Sequence, residues 1–153
     1  MKKSLFALML GGFGIGTTEF VMMGILPDIA HSLGISIPQA GHLISAYALG
    51  VVVGAPLLVM TAHRFTPKTI LMALMLMFTL FNGLCIVAPD YHSLFVFRFL
   101  SGLPHGAFFG VGAVVAQRLA EKGKEAQAMS MMYLGLTLAN LLGVPLGTFL
   151  GHN

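Results

Sequence analysis

Three residues that can carry charge lie inside long apolar stretches of this sequence: Glu19, Arg98 and His105. A carboxyl group and an imidazole can take up and release protons, and a nearby guanidinium charge changes how readily a carboxyl does so. A charge well inside hydrocarbon costs at least about 2.5–3.5 kcal/mol, so such a side chain is expected to face other helices and find a partner. We therefore predict that these three side chains line a central polar cavity in which Glu19 carries protons.

Each of the three residues also has a purely structural interpretation. Glu19 could be only an ion-pair partner for Arg98. Arg98 lies about 8 Å along its helix from the outer end at 1.5 Å per residue, a depth from which its side chain could reach the outer headgroups. His105 could be a hydrogen-bonded helix residue. Further polar residues are candidates for substrate contacts, although each could instead bridge two helices: Thr18, Tyr47, Asn82 and Asn140.

The composition indicates which kind of structure must position these side chains. Of the 153 residues, 57% are hydrophobic and 8% are charged, and the mean hydropathy is +0.90. A soluble domain carries about 25% charged residues, so this chain lacks the polar surface to cover itself in water. We predict an all-α membrane protein. The sequence contains no residue pattern typical of an enzyme active site, a metal site or a nucleic-acid interface, and its single cysteine, Cys85, cannot form an intrachain disulfide.

Five apolar stretches are long enough to cross a bilayer, for which a helix needs about 20 residues. The predicted spans are Ser4–Leu26 (span 1), Gln39–Ala62 (span 2), Thr69–Ala88 (span 3), Ser93–Ala116 (span 4) and Ala126–Leu150 (span 5). Proline and aspartate lie at several of their ends. Proline is best tolerated there because it has no amide hydrogen to donate to the helix.

The basic residues between the spans predict the orientation. Seven of the eight lie before span 1, between spans 2 and 3, or between spans 4 and 5, and none lies in residues 27–38 or 89–92. Basic loops stay in the cytoplasm, so we predict a cytoplasmic amino terminus and a carboxyl terminus outside, in a bacterial inner membrane. The two lysines that precede span 1 are also typical of a signal peptide, but the apolar run is long and no small-residue cleavage site follows it.

Glycines recur at intervals that allow helices to approach closely, and this spacing predicts packing faces. Span 4 carries a stripe at every fourth residue, and spans 1 and 2 each carry one such pair: Gly102, Gly106 and Gly110, then Gly12 and Gly16, then Gly50 and Gly54. Two segments also resemble others three spans away, namely 12–16 with 108–112 and 50–57 with 139–146. These pairs fit an inverted repeat of three helices, although glycine-rich membrane helices can also look alike by chance.

Together these residues resemble the major facilitator superfamily, and specifically the bacterial drug/proton antiporter group that includes sugar-efflux permeases. Segment 98–113 (RFLSGLPHGAFFGVGA) looks like the fourth-helix motif of that group, whose arginine is implicated in proton coupling. Segment 139–147 (ANLLGVPLG) is similar to its fifth-helix antiporter motif, and segment 16–30 is similar to the first helix of the efflux permeases. Predicted packing positions in the fifth-helix motif are Gly143, Pro145 and Gly147.

The resemblance implies a proton-coupled efflux transporter for sugars or small amphipathic molecules. Its partners would be the lipid bilayer and a small-molecule substrate, with a proton gradient and no cofactor. The family also has a conformational loop between helices 2 and 3, which corresponds here to the segment containing His63, Arg64 and Lys68. The family's acidic residue is replaced by His63, which puts the usual charge relay of this loop in doubt.

A second departure from the family concerns length. A family member has twelve helices in two halves, whereas this sequence supplies five spans and lacks helix 6 and the second half. We expect the truncated amino-terminal part of a transporter, which needs a missing second half or another copy of itself in order to work. The alternative interpretation is an inactive truncated product or a membrane scaffold that does not transport.

Overall fold

A computed structural model describes residues 2–62 and 64–151, and this part of the chain is helical without any β-strand. The helices are α1 (Lys2–Gly24), α2 (Leu26–Leu33), α3 (Ile37–Ala62), α4 (Pro67–Ile86), α5 (Tyr91–Leu119), α6 (Glu125–Leu138) and α7 (Val144–Gly151). A π-helical turn, Ala139–Gly143, joins α6 to α7 without a break.

Within the described residues, five helical stretches are long and apolar enough to cross a membrane, which confirms the predicted fold class. They are α1, α3, α4, α5, and the continuous stretch Glu125–Gly151, which corresponds to span 5. The observed ends differ from the predicted ones by at most three residues. The largest difference is in α5, which continues to Leu119 instead of ending at Ala116.

Local hydrogen bonding explains several of the helix ends. Thr66 precedes α4 and its hydroxyl accepts a hydrogen bond from the Thr69 amide at 3.3 Å, and Asp90 caps α5 by accepting from the Ser93 amide at 2.9 Å. These bonds satisfy amides that have no partner within the helix. The hydrogen bond from the Ser93 amide also holds the pKa of the Asp90 carboxyl below its usual value. The caps start α4 and α5 two residues before the predicted spans 3 and 4.

The end of span 1 is a correction to the sequence prediction. The prediction extends span 1 to Leu26, whereas α1 ends at Gly24 and a separate short helix, α2, follows. Pro27 lies in the first turn of α2, where its missing amide hydrogen costs no helical hydrogen bond. Gly34 then ends α2 in the left-handed conformation, with a φ of 62°, which a glycine adopts without strain.

Helix α5 lies at the centre of the bundle and packs against α3, α4 and α6, while α1 packs along α6, the π-helical turn and α7. The main apolar core lies where these helices meet, and its fully buried side chains include Ile15 and Met132. Many large apolar side chains on the outer faces are exposed. Such a surface fits a chain that is covered by lipid or by further helices.

One close helix crossing joins α3 and α5. A Cβ atom added to Gly50 or Gly54 would overlap main-chain atoms of Phe99 or Leu103, and one added to Gly102 would overlap the Tyr47 carbonyl oxygen. A Cβ on Gly106 would lie 2.7 Å from Cβ of Ala55. The two backbones therefore touch directly. Small residues make this possible in a bilayer, where lipid provides no hydrophobic drive for helices to associate.

Gly110 does not belong to this close contact, contrary to the predicted stripe. It is exposed, and a Cβ there would meet only Val59 Cγ2, at 3.6 Å, which is an ordinary van der Waals distance. Positions four residues apart drift around a helix with 3.6 residues per turn, so the stripe turns away from α3 after Gly106.

A second glycine-rich crossing joins α1 to span 5. A Cβ on Gly135 would overlap the Met9 carbonyl oxygen, and one on Gly16 would lie 2.9 Å from Cβ of Ala139. Further along, a Cβ on Gly143 would press on Thr17, and one on Gly147 on Val21. Pro145 is exposed and lies at the start of α7. The inverted repeat predicted from the sequence pairs span 1 with span 4 and span 2 with span 5. Under this pairing the α3–α5 crossing corresponds to the crossing of span 5 with α1, so two similar crossings are expected.

We predict that Gly54→Ala destabilises the bundle by about 1–3 kcal/mol, because the new methyl group must displace the α5 backbone. Gly41→Ala, in the same helix, is the matched control, since no atom lies within 4 Å of the added Cβ. It should cost nothing and gain about 0.5–1 kcal/mol from the lower chain entropy of alanine. Unfolding in SDS followed by far-ultraviolet circular dichroism measures both variants. Equal effects of the two substitutions would contradict the close crossing.

Candidate functional site

Four polar side chains from three membrane-length helices meet inside the bundle. Glu19 comes from α1, Tyr47 from α3, and Arg98 and His105 from α5. We call these four residues the polar cluster. The three ionisable residues singled out in the sequence are therefore neighbours in the fold.

Tyr47 and His105 form the centre of the cluster. The Tyr47 hydroxyl and His105 Nδ1 share a hydrogen bond of 3.0 Å, and the two rings lie 5.7 Å apart at 58°. Tyr47 is only 2% exposed. A buried tyrosine hydroxyl needs a partner, and here it also fixes the orientation of the imidazole. Tyr47 thus has the predicted bridging role between two helices, and its predicted contact with a substrate stays a prediction.

Glu19 turns its carboxylate toward α5. Its Oε2 atom lies 4.0 Å from His105 Nδ1, and the side chains of Glu19 and His105 are 28% and 12% exposed. The carboxylate is thus beside a group that can bind a proton and is also partly accessible from outside the bundle. Glu19 and Arg98 do not form an ion pair within 4.0 Å in the described chain, so Glu19 is not simply a direct partner for that arginine.

Arg98 is buried. The residue is 3% exposed, and its guanidinium carbon lies 4.5 Å from the centre of the Tyr47 ring, a cation–π distance. Its Nε atom has no hydrogen-bond partner among the described residues. The alternative in which this side chain extends to the outer headgroups is therefore wrong, because the tyrosine ring holds the guanidinium inside the bundle.

The other predicted substrate-contact residues do not join the polar cluster. The Thr18 hydroxyl donates to the Gly14 carbonyl at 3.1 Å, and the Asn82 amide donates to the Phe78 carbonyl at 2.8 Å, each within its own helix. Asn140 is exposed in the π-helical turn. The bridging role proposed for these residues is also not observed for Thr18 or Asn82, because their hydrogen bonds stay within one helix.

The predicted conformational loop is only partly described. His63 lies outside the described residues. Arg64 and Lys68 are exposed, and Lys68 lies in the first turn of α4. Neither of these two cations forms an ion pair within the part of the chain that the structure describes.

Two aromatic residues beside the cluster were not predicted from the sequence. Phe109 lies one helical turn after His105, with ring centres 5.3 Å apart, and it stacks on Tyr133 of α6 at 5.3 Å and 17°. The i, i+4 spacing of His105 and Phe109 indicated that they share a face of α5. No comparable signal links Tyr133 to them, since it lies on a different helix. Among the described residues, no group of three potential metal ligands is found.

Five membrane-length helices around a buried polar cluster define a polytopic membrane protein, and comparisons with known proteins identify its family. The family model described as Major Facilitator Superfamily matches residues 8–153. The chain belongs to this family.

Similar proteins support the assignment. The chain is 54% identical over 148 residues to the inner membrane transport protein YdhP of Escherichia coli strain K12, which covers 97% of this chain and 38% of YdhP. It is 49% identical over 152 residues to AraJ of the same strain, covering 99% of this chain and 39% of AraJ. It is 34% identical over 144 residues to a protein of Pasteurella multocida named as a probable sugar efflux transporter, covering 94% of this chain and 35% of that protein.

The chain spans about two fifths of the length of these curated relatives. It matches the amino-terminal part of the family, as the sequence motifs predicted. YdhP and the Pasteurella protein are named for transport, which fits the expectation that the chain is not an enzyme.

We predict that Tyr47→Phe lowers the free energy of unfolding by about 1–3 kcal/mol, because it leaves the buried His105 Nδ1 without its hydroxyl partner. Tyr47→Leu should cost more, since it also removes the aromatic face under Arg98. The matched control is Tyr91→Phe, which removes a hydroxyl that donates to the Gln39 carbonyl at 3.2 Å at an exposed site. SDS unfolding measures all three. A larger loss for Tyr91→Phe than for Tyr47→Phe would contradict the central role of the Tyr47–His105 bond.

Proposed function

We propose that this chain forms part of a proton-coupled efflux transporter of a bacterial inner membrane, with Glu19 as the residue that takes up and releases the proton. The observation that carries the proposal is the Glu19 carboxylate, which lies 4.0 Å from the His105 imidazole and is 28% exposed. An ionisable side chain inside a membrane segment that faces a neighbouring helix is functional by default.

The polar cluster suggests a division of roles. An ionised Glu19 can accept hydrogen bonds from a substrate, and a protonated Glu19 loses its charge and so holds that substrate less well. A proton and a substrate then compete for one group, as exchange in opposite directions requires. His105 is the neighbouring group with which Glu19 can exchange a proton, because its Nδ1 lies 4.0 Å from Glu19 Oε2. Arg98 modulates the exchange through its fixed positive charge.

The substrate and the partner are part of the same proposal. Sugars or small amphipathic molecules are the expected class, supported by the Pasteurella relative named for sugar efflux. Alternating access needs a second body against which this helix bundle can rock. We propose that this body is the second half of a longer transporter or another copy of the chain. The competing possibility is an inactive truncated product or a scaffold, and the transport experiment below distinguishes it.

We also propose that the amino terminus faces the cytoplasm and that the end of α7 faces outward. Ser4, Lys68 and Arg118 line one groove of about 600 Å³, which brings the three basic segments of the chain to the same end of the bundle. At the opposite end, Tyr91 of α5 contacts the Gln39 carbonyl of α3. Clustering of the cations at one end supports the orientation that the distribution of basic residues predicts.

The orientation can be tested with single cysteines. In a Cys85→Ser background, His92→Cys should react with a membrane-impermeant maleimide in intact spheroplasts. Glu121→Cys should react only after the membrane is opened, because residue 121 lies in the basic turn between α5 and α6. Both positions are exposed, so accessibility within the fold is matched. The reverse labelling pattern would overturn the proposed orientation.

The proton-carrying role of Glu19 can be tested on the chain itself. The chain has five acidic residues, of which Glu19 alone lies well inside a membrane-length helix. Infrared spectra of the chain in lipid should contain a titrating carboxylic C=O band at a higher frequency than water-exposed carboxyl groups give, and Glu19→Gln should remove this band. Glu121→Gln, which changes an exposed carboxylate paired with Lys124, is the matched control and should keep the band. Persistence of the high-frequency band in Glu19→Gln would overturn the role of this residue.

Transport is then measured in everted membrane vesicles from cells that produce the chain with the carboxyl-terminal part of YdhP. Lactose and glucose serve as sugar probes, and a fluorescent pH indicator reports proton release from the vesicles. We expect proton release on addition of a probe with the wild-type chain and with Glu121→Gln, and none with Glu19→Gln. Absence of the signal for every variant would favour the inactive product or scaffold.

A further inference from the structure

The groove that Ser4, Lys68 and Arg118 line lies between α1, α4 and α5, at the end of the bundle that carries the basic residues. We call it the basic-end groove. Its volume of about 600 Å³ is within the range of about 300–1,000 Å³ that ligand pockets have. Apart from one hydroxyl group and two cations, its lining is apolar, and no residue of the polar cluster contributes to it.

The floor of the basic-end groove is part of the packed bundle. Leu8 of α1 and Phe108 of α5 line the groove and are 5% and 2% exposed, so other residues fix them from behind. A Cβ atom added to Gly11 would overlap the Phe108 ring, so this glycine makes room for it. The α4 wall is more open, since Met72 is 62% exposed. The groove is therefore pre-formed and opens to the side of the bundle.

Two cations lie at one end of the groove. Lys68 is the second residue of α4 and Arg118 is the last but one of α5, so both are where their helices begin or end. Both side chains are exposed, and neither forms an ion pair with any described residue. None of the described residues that line the groove carries a carboxylate. The groove thus has a positively charged mouth and an apolar body.

The length of the groove matches one leaflet of a bilayer. Phe108 precedes Arg118 by ten residues, which is about 15 Å of helix at 1.5 Å per residue. The hydrocarbon core is about 30 Å thick, so one leaflet contributes about 15 Å. An acyl chain that lies along the groove would run from the level of the headgroups to the middle of the bilayer. The groups beside the two cations would then be lipid phosphates.

We propose that the basic-end groove binds an anionic phospholipid, with one acyl chain against its apolar walls and the headgroup phosphate beside Lys68 and Arg118. Phosphate oxygens accept charge-assisted hydrogen bonds from both kinds of cation, and basic pockets between membrane helices bind anionic headgroups. The site is separate from the polar cluster. It does not depend on the proposed function or on the proposed orientation, since lipid headgroups lie at both membrane surfaces.

A protein helix could also cover the apolar walls, either from a second copy of the chain or from a longer transporter. The charges favour the lipid. A helix over the mouth would take two unpaired cations out of water and would need carboxylates at that level to offset the cost. A phospholipid carries its anionic group at this level and its apolar chain below it, so a single molecule matches both parts of the groove.

The chain contains no tryptophan, which allows a single fluorescent reporter to be introduced. Met72→Trp places the reporter in the groove wall. Leu76→Trp is the matched position on the same helix outside the groove, where the native side chain is 71% exposed. Each variant is reconstituted in mixtures of phosphatidylglycerol and phosphatidylcholine in which one of the two lipids carries brominated acyl chains, which quench tryptophan on contact. The quenching gives the binding constant of the anionic lipid relative to the zwitterionic one.

We expect a relative binding constant of roughly five to twenty-five at Met72→Trp, from about fivefold for each cation near an anionic headgroup. At Leu76→Trp the value should be near one. Lys68→Gln combined with Arg118→Gln should bring the value at the groove close to one. High salt should also lower it, because the two cations are exposed to solvent.

The control pair is Arg64→Gln combined with Lys122→Gln. It removes the same two types of cation from the same end of the chain but outside the groove, and it should leave the preference at the groove unchanged. Far-ultraviolet circular dichroism verifies that each variant is folded. Native mass spectrometry of the chain without tryptophan counts the retained lipids independently of the reporter. One phosphatidylglycerol should stay bound to wild type and be lost when Lys68 and Arg118 are both replaced.

Several outcomes would overturn the lipid site. One is a relative binding constant near one at Met72→Trp, and another is an equal loss of preference in the control pair. Weak quenching by both lipids at Met72→Trp would mean that protein covers the groove. Glycerol 1-phosphate, which carries the phosphate without acyl chains, should not displace the lipid at millimolar concentration. Displacement would assign the two cations to a free phosphate instead.

Discussion

The direct backbone contact between α3 and α5 is the constraint on which the polar cluster depends. Gly102 leaves room for the Tyr47 carbonyl oxygen, so the Tyr47 residue is held at the level of Gly102. Arg98 precedes that glycine by about one turn, and His105 follows it by about one turn. The tyrosine side chain therefore reaches the guanidinium on one side and the imidazole on the other. A larger residue at the crossing would separate the helices and all of these contacts together.

Close contact between helices also positions Glu19, which lies on α1. Helix α1 contacts span 5 through Gly16 and Ala139, and through Thr17 and Gly143. These close contacts lie just before Glu19 and fix the rotation of α1 about its axis. Glu19 is turned toward α5, where it meets His105. The polar cluster thus forms at the meeting point of two glycine-rich helix pairs, α3 with α5 and α1 with span 5.

Composition and hydropathy were sufficient to predict the five membrane-length helices, because few other sequences combine so many apolar residues with so little charge. The cost of a charge in hydrocarbon was sufficient to predict that Glu19, Arg98 and His105 face inward. Partner choice was harder to predict. No residue pattern indicated that Arg98 stacks on Tyr47 while Glu19 approaches His105, because both contacts depend on the register of the helix crossings. Tyr133 was missed for a related reason: one more aromatic residue in an apolar span has no distinctive spacing.

Hydroxyl and amide residues were the least predictable. Thr18 and Asn82 donate hydrogen bonds to backbone carbonyls of their own helices. Any such residue in a helix can do this, and its position in the sequence does not reveal whether it does. Helix ends were predicted to within three residues, and the capping bonds of Thr66 and Asp90 account for part of that difference.

The π-helical turn at Ala139–Gly143 explains how span 5 stays in contact with α1 over its whole length. Small residues that meet α1 recur every four positions, at 135, 139, 143 and 147. In a regular α-helix each step of four residues rotates the contact by about 40° around the axis, since one turn takes 3.6 residues. A π-helical turn holds more residues per turn and reverses part of that rotation. The wider turn therefore rotates the small residues back toward α1, so that they stay in contact with α1 along span 5.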